Sequence, residues 1–157
     1  MTVEAEKSEI LDLLGHVEVI EEVANDLAPD DRRRERLLDA VRGVLGHCRP
    51  IRVPIAAEML NLSEPTIRAW ARQGVFEVVP LSTVTTLEPV RFHDVLHLVQ
   101  DLRAAGQTSG LLDTVWRRLE DAALLEREDL REGLDQATSG AGQELGADEL
   151  EARSRRM

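Results

Sequence analysis

The sequence predicts an all-α chain that carries one small two-stranded β-element. Three observations lead there. Apolar residues recur at helical spacing through both flanks of the chain. Aromatics make up only 3% of the 157 residues, too few for a sandwich or barrel whose strands favour them. The middle third is punctuated by Pro, Asn-Leu-Ser and Gly at places where short helices start and stop.

The first helix is read from Ile10, Leu13, Leu14, Val17, Ile20 and Val23, which form one stripe. Ala28-Pro29-Asp30 breaks it, and Asp30 or Asp31 is placed to cap the next helix. A second stripe at Leu37, Leu38, Val41, Val44 and Leu45 ends near Gly46. Residues 1–48 therefore read as an acidic helical hairpin, for packing or for interaction. The run Arg32-Arg33-Arg34 reads as a solvated helix face, because acids surround it.

At the other end, Gly106 to Gly110 reads as a loop. A long helix then runs from Leu111 to Gln136, with Leu112, Val115, Trp116, Leu119, Ala123, Leu130 and Leu134 on or near one face. Residues 107–137 are expected to dimerise through that stripe. Residues 138–157 have little apolar surface and read as a disordered tail.

Charge is distributed unevenly along this frame. The formal net charge is −11. Residues 1–48 hold 12 acids and 6 bases, and residues 106–157 hold 12 and 7, whereas residues 49–105 balance at 6 and 6. An acidic chain attracts phosphate poorly, so any nucleic-acid contact must be local to the neutral middle. The paucity of aromatics excludes a single-strand stacking platform. Lys7 is the one lysine, which leaves none for Schiff-base or phosphate-loop chemistry in the middle of the chain. A single cysteine, Cys48, excludes an internal disulfide framework and a Cys-rich zinc module. No membrane span and no secretory layout at the N-terminus are visible, so a cytoplasmic protein is expected.

Residues 51–76 are the informative stretch. Pro54 to Leu60 reads as a helix, Asn61-Leu62-Ser63 as a tight turn, and Thr66 to Gln73 as a second helix stopped by Gly74. Ser63 is a natural N-cap and Pro65 suits a first turn. Ile55, Leu60, Leu62, Ile67 and Trp70 form the inward set, with small Ala57 where the two helices cross. The outward side offers Glu64, Thr66, Arg68, Ala69, Arg72 and Gln73. Arg and Gln can bond base edges or phosphates, and Thr can bond a phosphate. Val75–Val79 and Val90-Arg91-Phe92 read as the strands of a β-hairpin around a loose tip, Pro80–Pro89. His93-Asp94 then opens a further helix, Val95 to Ala105.

Residues 51–106 resemble the winged helix-turn-helix of MerR-type transcription regulators and the related excisionase-like proteins. The resemblance rests on Ala57, Leu62-Ser63, Thr66-Ile67-Arg68-Ala69-Trp70, Gly74-Val75, Arg91-Phe92, Asp94 and Leu102-Arg103-Ala104-Ala105-Gly106, which occur in the family's order. It covers about a third of the chain and departs from the family in its long helical N-terminus and in lacking a Gly-rich wing tip. It implies a winged helix-turn-helix over residues 49–106 that binds double-stranded DNA as a homodimer and regulates transcription. Ser63, Thr66, Arg68, Ala69, Arg72, Gln73 and Arg91 are the expected DNA contacts. The alternative is an antitoxin-like or adaptor protein whose acidic helices, the N-terminal hairpin or the C-terminal helix, hold a protein partner. No enzyme motif, cofactor or catalytic residue is expected. His93 and His97 stand four residues apart and can share a metal, but the pattern offers no third ligand, so they read as surface or capping residues.

Overall fold

The computed structural model describes residues 2–80 and 83–140. It is mostly helical, with a small three-stranded antiparallel sheet. Residues 1–116 and 117–157 form two units.

The N-terminal hairpin consists of α1 (Val3–Asp26) and α2 (Arg32–Gly46). The Thr2 hydroxyl caps α1 by accepting from the Ala5 amide, and the Asp31 carboxylate caps α2 by accepting from the Arg33 amide. Val17, Val41 and Leu45 are buried between the two helices, with Leu14, Ile20 and Val90 packed against them. Val90 belongs to the middle of the chain, so the hairpin's apolar stripe closes on that segment. A second tie is electrostatic. Glu6 is buried, and its carboxylate meets the Arg52 guanidinium at 2.8 Å and Arg49 at 3.6 Å.

The middle begins with β1 (Ile51–Arg52), then α3 (Val53–Leu60) and α4 (Glu64–Arg72). Then come β2 (Val78–Val79), β3 (Thr86–Leu87) and α5 (Pro89–Ala104). The sheet order is β1-β3-β2, with Ile51 and Val78 both opposite Leu87. Leu87 is fully buried at the centre. Val53, Ile55, Leu60, Ile67, Val75, Phe92, Val95 and Val99 belong to the same unit and are all essentially inaccessible to solvent.

Two sequence-based expectations are corrected here. The β-element has three strands, because Ile51–Arg52 adds to it; two residues are too few to display an alternating pattern. The segment Val90-Arg91-Phe92 is not a strand. Glu88 caps α5 by accepting from the Val90 and Arg91 amides at 2.8 and 2.7 Å, and Pro89 occupies the first turn, so the helix opens well before His93. The returning strand is instead Thr86–Leu87, inside the segment expected to be a loose tip.

Three helix ends share one closing device. Leu62, Val75 and Gln107 donate their amides to the carbonyls of Ala57, Trp70 and Leu102 at 2.9–3.0 Å. The residue before each has a positive φ: Asn61, Gly74 and Gly106. A left-handed residue turns the chain across the helix end and satisfies carbonyls that would otherwise lack donors.

The last helix, α6 (Leu111–Gly140), extends past the expected end at Gln136. The Thr138 and Ser139 hydroxyls bond the Leu134 and Asp135 carbonyls one turn back, which corrects the reading of 138–140 as tail. The rest of that expected disordered tail, residues 141–157, lies outside the described residues. Within 117–140, Leu124, Leu125, Leu130 and Leu134 are each more than half exposed. No described helix is long and apolar enough to cross a membrane.

Candidate nucleic-acid interface

α4 has two chemically distinct sides. Ser63 fixes its start: its hydroxyl oxygen accepts from the Thr66 amide at 3.2 Å and lies 2.7 Å from the Thr66 hydroxyl. Ile67 and Trp70 face inward and are buried. The Trp70 ring stacks toward Phe76, and Phe76 toward Phe92, with centroids 6.0 and 6.1 Å apart. These contacts set the rotation of α4 about its axis, since turning it would pull Trp70 out of an aromatic row that runs from α4 through the bend at Phe76 to α5.

That rotation leaves a polar face in solvent. Ser63, Arg68, Arg72 and Gln73 are exposed, while Thr66 and Ala69 are partly covered. Arg68 is ion-paired with Glu64 one turn back at 3.1 Å. Arg72 makes no ion pair or hydrogen bond with any described residue. Thr66, Arg68, Ala69 and Arg72 thus lie on one helix, with Ser63 as its N-cap and Gln73 as its C-cap.

Arg91 stands apart from this group. It lies in the first turn of α5, and its Nε donates to the Val75 carbonyl at 2.9 Å. Its role in the fold is to tie α5 to the chain leaving α4. The other arginines of the segment are also engaged. Arg103 donates to the Leu60 and Asn61 carbonyls and so caps the end of α3, and Arg49 and Arg52 hold Glu6. Of the six arginines between residues 49 and 105, Arg72 alone is uncommitted among the described residues, and Arg68 is held only by an exposed pair.

Elsewhere in the same unit the fold assembles a group that the sequence pattern did not show. His93 is buried, not on the surface as its sequence position suggested. Its Nε2 lies 3.0 Å from His97 Nε2, one turn along α5, and both face Glu21 of α1. Glu21 is 72 positions away from His93 in the chain, so no local spacing could have announced it. Burial pushes the His93 imidazole below its ordinary pKa, which favours the neutral ring, against the opposing pull of Glu21.

Comparison with protein-family models, curated proteins and solved structures finds no match for this chain.

Proposed function

We propose that this chain is a sequence-specific DNA-binding regulator of transcription, with α4 entering the major groove. In this reading α3, the Asn61–Ser63 turn and α4 are a helix-turn-helix, and the β2–β3 hairpin is its wing. The observation that carries the reading is the open polar face of α4, where Arg68, Arg72 and Gln73 stand clear of a helix whose other side is locked into the core. Arg72 and Gln73 supply base-edge or phosphate donors. Ser63 and Thr66, at the start of the helix, sit where a phosphate would pass. Ala69 leaves room for close approach. Arg91 contributes by bracing α5 against Val75 and has a weaker claim to a DNA contact than the α4 residues.

The reading includes homodimerisation. One recognition helix reads only a few base pairs, and a neutral segment between acidic flanks holds DNA weakly without sequence contacts. Two copies double the contacts. The exposed leucines of α6 are the surface that supports pairing. The antitoxin-like alternative shares this surface but gives it to a different protein.

Replacement of Arg72 by Ala, and separately of Arg68 by Ala, tests the proposal in a binding assay on sites recovered by genome-wide pull-down. Each is expected to weaken binding, by ~1–3 kcal/mol where the side chain reads a base edge and by less where it meets a phosphate. Arg72→Ala should have the larger effect, because Glu64 already competes for Arg68. Recovery of no enriched site, with both variants indistinguishable from the parent chain, would overturn the reading.

A further inference from the structure

We propose that Glu21, His93 and His97 form a binding site for a first-row divalent transition cation, with zinc as the first candidate. The three ligand atoms are one carboxylate oxygen and two imidazole nitrogens. Glu21 Oε2 lies 2.9 Å from His97 Nε2 and 3.3 Å from His93 Nε2, and the two nitrogens are 3.0 Å apart. Two imidazoles and a carboxylate are a common protein ligand set for zinc, with bonds of ~2.0–2.2 Å. Ligands at that distance stand roughly 3.0–3.4 Å from one another, in cis octahedral or tetrahedral arrangement. The observed triangle matches those edges. A cation about 2.1 Å from all three atoms would sit about 1 Å out of their plane, with its remaining positions open.

Proton counting favours a cation over a hydrogen-bond network. If both rings carry the proton on Nε2, two N–H groups aim at one oxygen while standing 3.0 Å apart, with no acceptor between them. If His93 carries its proton on Nδ1, its Nε2 lone pair faces the carboxylate oxygen, and the single proton of His97 must serve two acceptors. With the Glu21 carboxylate ionised and both rings neutral, each of these arrangements leaves one unfavourable contact. One cation accepts all three lone pairs together.

Three surroundings support the site. The ligands come from rigid helices: the histidines stand one turn apart on α5, and Glu21 is held on α1 by the hairpin core. His93 is buried, whereas His97 is half exposed, so the group has an inner anchor and an outer mouth. The mouth opens on a cleft of about 620 Å³ lined by Glu18, Glu22, Asn25 and Asp26 beside Glu21 and His97. Those acids attract cations toward the ligands, and the cleft admits the water that completes a three-ligand site. Occupancy would clip α1 to α5, adding a third tie to the Val90 packing and the Glu6–Arg52 pair.

The test uses the full chain, stripped with a chelator and dialysed. Titration with zinc chloride should show one equivalent bound and a raised melting temperature. Cobalt(II) should give visible absorption bands of a nitrogen- and oxygen-ligated ion. His97→Ala removes a half-exposed ligand, so it should fold normally and weaken zinc binding at least ~10-fold. Glu21→Gln keeps the side-chain shape and should also lose affinity. The absence of a stoichiometric thermal shift and of cobalt bands in the parent chain would overturn the proposal. So would full retention of binding in both variants, because the metal would then lie elsewhere.

Discussion

Gly74 ends α4 and aims the chain toward the sheet, and it does so with φ at +85°. A side chain in that conformation meets its own backbone, at a cost of ~1–2 kcal/mol. Space is not the obstacle: a Cβ there would lie 3.5 Å from Trp116 Cη2, an ordinary contact. Gly74→Ala should therefore lower stability by about 1 kcal/mol through backbone strain, and Gly74→Asn by less, since Asn tolerates this region better. Denaturant unfolding of the two variants beside the parent chain checks the order. Equal losses would assign the cost to crowding instead. This residue was legible in advance, as were Ser63 and Trp70, because a stop, a cap and a buried ring each leave a local mark in sequence. Arg91 was misplaced for the converse reason. An Arg-aromatic pair looks the same in a strand as in a first helical turn, and what decides is the carboxylate of Glu88 reaching two amides ahead of it.

At the scale of elements, side-chain caps set the starts of α1, α2, α4 and α5, and α2 offers the cleanest handle on them. Asp31 accepts from the Arg33 amide and pairs with the Arg33 guanidinium at 2.7 Å, and the side-chain bond to Arg33 is the main reason its pKa falls from 3.8 to about 2. A carboxyl depressed in the folded state contributes stability that is fully present above its unfolded value. That contribution fades as pH falls from about 4 toward about 2. The difference in melting temperature between the parent chain and Asp31→Asn should be small, since the pair is exposed to water, and should shrink as pH drops through this window. A difference that stays constant across it would show that the charge contributes nothing beyond the amide's own cap. The helices α2 and α4 were legible from such caps, α1 from its apolar period, and α3 from a proline in its first turn. The strand β1 was not, because its pairing with Leu87 is a long-range event and two residues carry no period. The candidate metal ligands divide the same way: His93 and His97 were visible as a spaced pair, and Glu21 was not, since only the packing of α1 on α5 brings it near.

For the whole molecule, the open question is what the two ends of the chain do, and the structure treats them differently. The hairpin is built into residues 1–116, through Val90, through Glu6 with Arg52, and through Glu21 with the histidines. Removing residues 1–47 would expose Val90 and strip Arg52 of its partner, so that truncation tests folding before it tests any function. The segment from Arg117 onward is a separate unit, with leucines open to water on a helix that is acidic overall. A chain ending at Trp116 should keep its helical content and its cooperative unfolding, because none of the caps, ring contacts or core residues named within residues 1–116 is removed. It should sediment as a monomer, whereas the full chain, on the proposed reading, should sediment as a dimer. Its affinity for an isolated half-site should then match that of the full chain, and its affinity for the two-half-site operator should fall, since the second recognition helix no longer arrives with the first. A full chain that sediments as a monomer at concentrations well above those needed for DNA binding would remove the dimer from the proposal. If the truncated chain instead keeps operator affinity, the leucines of α6 belong to a protein partner, as the antitoxin-like reading holds.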